Sequence, residues 1–319
     1  MQAKRALICG ISGQDGAYLA KFLVEKGYVV IGTSRDAAAS SFANLQKLGI
    51  RHAVETVSMS TSDSGSVLST IRNAAPDEIY YLAGQSSVGL SFEQPVETME
   101  SIAMVLVRLL EAIRFLDCPI RFYNAGTSEC FGDTGNQRAN ETTPFRPRSP
   151  YAVAKASAHQ LIGTYREAYG LYACTGILFN HESPLRLERF VTQKIVRGAA
   201  QIARGGSEKL QLGNLDIYRD WGWAPEYVEA MWLMLQQDRA DDFVIATGET
   251  VSLRHFLDRA FRYFDLDWNE HVISTPGLQR PSDIRIGSAD PSKAKAVLGW
   301  SAKTHVDGVV DKMCEAVSS

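Results

Sequence analysis

Strand-like apolar runs alternating with helical stretches constrain this 319-residue chain more than any other feature. The runs are RALIC (5–9), YVVIGT (28–33), HAVETVS (52–58), DEIYYLA (77–83), RFYNAG (121–126) and CTGILF (174–179). Helical spacing separates them, most clearly over 17–27, 94–117 and 150–169. A continuously apolar strand needs cover on both faces, and right-handed βαβ crossovers supply it. The expected fold is α/β: a Rossmann-like doubly wound parallel sheet with a smaller mixed α/β lobe. The rhythm changes after about residue 180, where SPLRLERF and QKIVRG are basic and polar and the strand-like pieces KLQLG and DDFVIAT are short. Pro281 and Pro291 break up the C-terminal part. The expected division is a dinucleotide-binding domain at 1–180, with a segment of about 216–247 returning to it, and a second lobe from the remaining segments of 181–319.

Hydrophobic residues make up 45% and charged residues 22%, enough apolar material for a large core, and the net charge is −3. That balance argues against a general nucleic-acid or membrane binder. No apolar stretch reaches bilayer length. MQAKRALICG runs directly into a strand, unlike a cleavable signal. Cys9, Cys118, Cys130, Cys174 and Cys314 form no CxxC pair. They read as buried thiols of a cytoplasmic protein, with no disulfide or metal framework.

CGISGQDGAYLA follows the first run and opens the first helix, with glycines at 10, 13 and 16. Glycine there permits a tight turn and close approach of a pyrophosphate to backbone N–H groups at a helix N-terminus. The spacing is GxxGxxG, the variant that resembles the short-chain dehydrogenase/reductase superfamily. GTSRD puts Arg35 at the end of the second strand, where a guanidinium can pair with a 2′-phosphate and favour NADP. Asp36 beside it can instead accept from a free ribose hydroxyl.

SPYAVAKASAH sets Tyr151 and Lys155 four residues apart, on one helix face. An ammonium near a phenol lowers the phenol's pKa and makes it a usable base. TSECFG precedes them, so Thr127 can share a substrate hydroxyl with Tyr151. A simple dehydrogenase needs no more, yet Glu129 is also present. Beside a ketone on a sugar ring, a carboxylate can remove the acidified neighbouring proton, after which a hydroxyl one carbon further leaves as water.

GISGQDGAYLAKFLVEKGY, TSECFG, PRSPYAVAK, ILFNHESPLR, YRDWGWAPEYVEAMW and the late LGW resemble the GDP-mannose 4,6-dehydratase family over about residues 3–315. The resemblance implies an NADP-dependent lyase that dehydrates GDP-mannose in the cytoplasm, as a homodimer or homotetramer. It assigns catalysis to Thr127, Glu129, Tyr151 and Lys155. It implies cofactor contacts at Gly10, Ser12, Gly13, Gln14, Asp15, Gly16, Leu82, Ala83, Gln85, Ser86, His181 and Arg186, besides Tyr151 and Lys155. It puts the nucleotide sugar near Ser86, Glu129, Asn180, Lys194, Arg219, Arg280 and Asp283, which makes the second lobe a nucleotide-sugar-binding one. A diphosphate calls for such charge-assisted donors. The chain departs from the family pattern at Ser60, Ile102, Gln193, Tyr218 and Asp283, and its SRDAAASS lacks the family's paired arginines. Another GDP-sugar such as a heptose, a nucleotide-sugar reductase or epimerase, and a non-catalytic nucleotide sensor are the alternatives. Glu129 argues against the reductase, and intact Tyr151 and Lys155 against the sensor.

Overall fold

The computed structural model describes residues 3–275 and 281–318. β1 (Arg5–Cys9), β2 (Val29–Ser34), β3 (Val54–Ser58), β4 (Glu78–Tyr81), β5 (Arg121–Ala125) and β6 (Ala173–Leu178) form six parallel strands of a central sheet. Four short strands follow outside it: β7 (Asn180–Glu182), β8 (Leu210–Leu212), β9 (Tyr218–Arg219) and β10 (Trp221–Trp223). β11 (Phe243–Ile245) then rejoins as the seventh strand, parallel to β6, so the spatial order is β3-β2-β1-β4-β5-β6-β11. β12 (Val251–Ser252) pairs antiparallel with β9, and β13 (Val272–Ser274) pairs with β8.

Strand alternation sends successive side chains to opposite faces, and each face finds its own helices. Leu7, Cys9, Ile31, Ile79, Tyr81 and Phe122 share a core with α3 (Ser64–Ala74), α6 (Val105–Leu116) and α7 (Pro150–Tyr169). Ala6, Ile8, Val30, Tyr80, Tyr123 and Cys174 pack on the other side against α1 (Gln14–Glu25) and α9 (Ala224–Met234). A separate core joins α8 (Val191–Ala203), α10 (Leu253–Arg262) and α12 (Val306–Ser318). The short helices α2 (Ala43–Lys47), α4 (Val88–Glu93), α5 (Pro95–Met99) and α11 (Trp268–His271) fill connections between these layers. The return to the main sheet runs through β10, α9 and β11; residues 218–219 pair instead with β12.

The helix expected over 94–117 is interrupted. α5 passes through a wide turn at Glu100–Met104 before α6 begins. Tyr81 explains the widening: its hydroxyl donates to Ser101 O at 2.7 Å, inside that turn. A side chain inserted into the helical ladder commonly produces such a bulge. Ile102 is fully buried there, and a Cβ on Gly84 would lie 3.1 Å from it. The first helix begins three residues before the expected 17, because Gly13 caps it. All five cysteines are free, and Cys118 alone among them is exposed.

Candidate active site

A cleft of about 410 Å³ opens at the C-terminal ends of the strands. Its floor comes from the turn after β5, where Thr127 is the N-cap of the short turn Ser128–Phe131 and its Oγ1 accepts the Glu129 N–H at 3.3 Å. That cap turns the chain sharply and presents Glu129 to the cleft. Ser149 caps α7 through its Oγ to the Ala152 N–H, 3.1 Å, and Pro150 occupies the first helical turn. Tyr151 and Lys155 thereby lie on the buried face of α7 and on the cleft wall. Thr127 lines the same wall as the Tyr151 phenol, and Lys155 Nζ donates to Ala125 O at 2.7 Å.

The phenol differs from the sequence expectation. Burial, the largest influence, pushes the Tyr151 pKa up, and the Thr127 side chain offsets only part of it. The Lys155 ammonium sits 6.0 Å from the ring centroid and is turned to a carbonyl instead. Burial lowers the Lys155 pKa to about 8. Spacing on a helix put the two residues on one face; it could not set which acceptor the ammonium meets.

Four carboxylates line the cleft: Asp15, Glu129, Glu182 and Asp283. Asp15 Oδ2 faces His181 Nε2 at 2.9 Å. Glu182 Oε2 accepts from Thr192 Oγ1 at 2.7 Å and lies 3.2 Å from Arg186 Nε, an ion pair too poorly aligned to satisfy that buried N–H. Asp283 Oδ1 is 3.6 Å from Arg219 Nη2. Glu129 has no cation within ion-pair distance among the described residues. Burial would raise the Asp15 pKa, but the charge and hydrogen bond of His181, with help from Gln14 and Arg186, bring it down to about 2.

Of the glycine turn, Asp15 lines the cleft. Gly10 has φ +96°, and a Cβ there would lie 2.8 Å from Ala83 N; one on Gly16 would lie 2.3 Å from Gly10 O. Both approaches exclude any larger residue. Ser12 O accepts from Asn44 Nδ2 at 2.9 Å, so α2 braces the turn, while Gly13 N–H donates to Gly10 O. Gln14 Nε2 donates to His181 O at 3.2 Å, tying the turn to β7. Leu82, Ser86, Asn180, His181, Arg186 and Lys194 line the cavity with the catalytic candidates. Gln85 is turned to its own loop, donating to Ser87 O at 2.8 Å. Arg35 is exposed at the end of β2, and Arg219 is buried beside Asp283. Arg280 lies outside the described residues.

Sequence reasoning missed several residues. Ser87 and Val88, the start of α4, line the cleft directly after LAGQS; the serine cap was a readable signal. Arg189 and Asn214 also line it, with no motif to announce them. Asp220 is fully buried and accepts from the Thr247 and Gly248 N–H groups at 2.9 and 2.7 Å, tying β10 to the chain after β11. Among the described residues no group of three or more His, Cys, Asp or Glu gathers as a metal site, and no helix is long and apolar enough to cross a membrane.

This strand order, a GxxGxxG turn at the first βα junction, and threonine, tyrosine and lysine in a cleft at the strand ends define a member of the short-chain dehydrogenase/reductase class. Solved structures carry the same fold: the dTDP-glucose 4,6-dehydratase DesIV of Streptomyces venezuelae with NAD bound (TM-score 0.87, 21% identity, 98% of this chain and 96% of that one) and RMD from Pseudomonas aeruginosa complexed with NADPH (TM-score 0.81, 18%, 99% of each). The family model described as GDP-mannose 4,6 dehydratase matches residues 7–313. GDP-mannose 4,6 dehydratase 1 of Arabidopsis thaliana is 46% identical over 98% of this chain and 89% of that protein. The chain belongs to the GDP-mannose 4,6-dehydratase family.

Proposed function

We propose that the protein is a hydro-lyase converting GDP-D-mannose to GDP-4-dehydro-6-deoxy-D-mannose, with NADP as its cofactor. One observation carries the reading beyond a generic dehydrogenase: Glu129 lines the cleft with Thr127 and Tyr151 but, unlike the other three cleft carboxylates, has no cation beside it among the described residues. A carboxylate free of an ion pair can take up a proton.

Thr127 and Tyr151 bind the C4 hydroxyl, and Tyr151, in its ionised phenolate form, takes its proton. Lys155, protonated up to about pH 8, supplies the positive charge on that wall. With C4 a ketone, Glu129 removes the C5 proton and passes it to the C6 hydroxyl, which leaves as water. The proton from the C4 hydroxyl remains available for C5. A bound nicotinamide dinucleotide supplies what no side chain here can, the reversible uptake of hydride between C4 and C6. The close-packed cradle at Gly10 and Gly16 fits such a group, with Ser86, Tyr151, Lys155, His181 and Arg186 lining the adjoining cleft.

Arg35 supports NADP over NAD. It is exposed with no acid in ion-pair distance among the described residues. The competing Asp36 is engaged in its own loop, where Oδ1 accepts the Ala38 and Ala39 N–H groups at 3.0 and 3.1 Å. Charge-assisted hydrogen bonds contribute about 1.5–3 kcal/mol, so Arg35→Ala is expected to reduce the NADP/NAD affinity ratio roughly ten- to a hundred-fold. Titrating cofactor-free protein with each dinucleotide checks this; an unchanged ratio removes Arg35 from phosphate reading.

Ser86, Glu129, Asn180, Lys194, Arg219 and Asp283 are the described candidates for the GDP-sugar. Of the departures that raised another sugar, Gln193 and Tyr218 are not cleft-lining, which favours mannose; Asp283 is. Incubation with GDP-mannose followed by mass analysis tests the whole reading. Loss of one water with no net change in cofactor is expected; an unchanged sugar, or one that consumes reduced cofactor, overturns it. A cytoplasmic homodimer or homotetramer completes the proposal, with exposed Val96, Met104 and Tyr169 on the α5–α7 region as apolar surface for a second copy; sedimentation and cell fractionation check these points.

A further inference from the structure

The ring of His181 is held at both nitrogens by oxygen atoms. Nδ1 is 2.7 Å from the Phe179 carbonyl, which can only accept. Nε2 is 2.9 Å from Asp15 Oδ2. Since Nδ1 must donate, Nε2 either carries a second proton or accepts one from a protonated Asp15. The surroundings decide between these. Asp15 Oδ1 already accepts from Gln14 Nε2 at 3.0 Å, and Asp15 stands in the first turn of α1, where a helix favours negative charge. The face of Tyr227 lies over the imidazole, ring centroids 4.6 Å apart, which favours a cation.

We propose that Asp15 is a positioning residue that holds His181 as an imidazolium, so that this wall of the dinucleotide cleft carries no net charge from the pair. The proposal rests on the functional reading above only for the identity of the ligand. Both residues line the cleft, as do the paired Glu182 and Arg186. A dinucleotide and a nucleotide sugar both bring diphosphates. A neutral His181 would leave the Asp15 carboxylate uncompensated against them, while the imidazolium cancels it. The charged groups around His181 are Asp15 from α1, Arg186 from the chain after β7, and Lys155 from α7, whose titration Asp15 influences. From α9 comes the Tyr227 ring, with Asp220, Glu226 and Glu182 beyond its hydroxyl. Burial and Arg186 oppose the proton on His181, yet Asp15 and the Phe179 carbonyl prevail and its pKa is raised. Gln14 ties the same wall together, donating to His181 O and accepting from Ser183 Oγ at 2.7 Å.

Two measurements test this. Long-range proton–nitrogen NMR of the histidine side chains in the cofactor-free protein at pH 7.5 needs no substrate, so its outcome is independent of the catalytic reading. His181 is expected with both nitrogens protonated. In Asp15→Asn, where an amide can still donate to Nε2, it is expected neutral, with the proton on Nδ1. A neutral His181 in the wild type, or an unchanged titration in Asp15→Asn, overturns the proposal. The second measurement is NADPH affinity by fluorescence. His181→Gln should bind about tenfold more weakly, because Asp15 is then unbalanced, and the double variant Asp15→Asn/His181→Gln should recover most of that loss. If the two substitutions weaken binding additively, charge balance is not the function of the pair.

Discussion

The two walls of the cleft treat their carboxylates in opposite ways. On the wall made by α1, β7 and the second lobe, Asp15, Glu182 and Asp283 each face a cation: His181, Arg186 and Arg219. On the wall made by the end of β5 and α7, Glu129 lines the cleft with Thr127 and Tyr151, with no cation in ion-pair distance among the described residues. A half-buried acid locked to a cation stays ionised and serves architecture; an acid that must accept and release a proton cannot be so locked. Residue type alone does not separate the two, since all four are Asp or Glu on one cavity. Their partners separate them.

The sharpest way to break this contrast is Glu129→Gln. Turnover is expected to fall by about two to four orders of magnitude, while stability shifts by no more than about 0.5 kcal/mol because no ion pair is lost. Turnover and solvent-deuterium exchange at C5 report it. A variant that exchanges deuterium at the wild-type rate would place the base elsewhere.

Glu182→Ala should do the reverse. It strands Arg186 and Thr192 in a buried setting, which costs about 3–5 kcal/mol when a buried pair loses one member. Its urea midpoint is expected well below wild type. Turnover per folded molecule should fall far less than for Glu129→Gln; equal losses would dissolve the distinction between the walls.

Tyr151→Phe tests the reactive wall more finely. The hydroxyl acts in the transition state and the nucleotide is held elsewhere, so kcat should fall roughly a hundredfold with little change in GDP-sugar affinity. Lost affinity with unchanged kcat would make Tyr151 a binding residue.

The smallest effect is the pH dependence of stability from Asp15 and His181. The Asp15 pKa is lowered from 3.8 to about 2, so its stabilisation is complete above 3.8 and disappears as pH falls through 2. The His181 pKa is raised above 6.5, so its contribution is complete below 6.5 and disappears as pH climbs through the raised value. The pair therefore stabilises most between these limits. Denaturation of Asp15→Asn should show a shallower loss of stability between pH 4 and pH 2 than the wild type. Parallel curves would mean the pair contributes no linkage.

The doubly wound sheet was legible because six buried strands and the helices between them write their periods locally, and the glycine turn and the Tyr151–Lys155 spacing fell where that pattern put them. The wide turn before α6 was not legible, since it depends on Tyr81 arriving from a strand twenty residues earlier. Ser87 could have been found as a helix cap; Arg189 and Asn214 lie in a segment with no periodic signal.

By itself, the sequence determined which residues share a face or a turn: Thr127 with Glu129, Tyr151 with Lys155, and the three glycines of the first βα junction. Backbone periodicity and steric allowance act over a few residues, so they can be read in order along the chain. Tertiary structure alone decided which charges meet. Asp15 and His181 are 166 residues apart, and Arg219 finds Asp283 from another segment of the chain. Burial, which follows from packing, set the direction of the Tyr151 shift against what a nearby lysine would suggest. Electrostatic roles depend on distance and desolvation in the packed state, and neither is written in the spacing of residues along the chain.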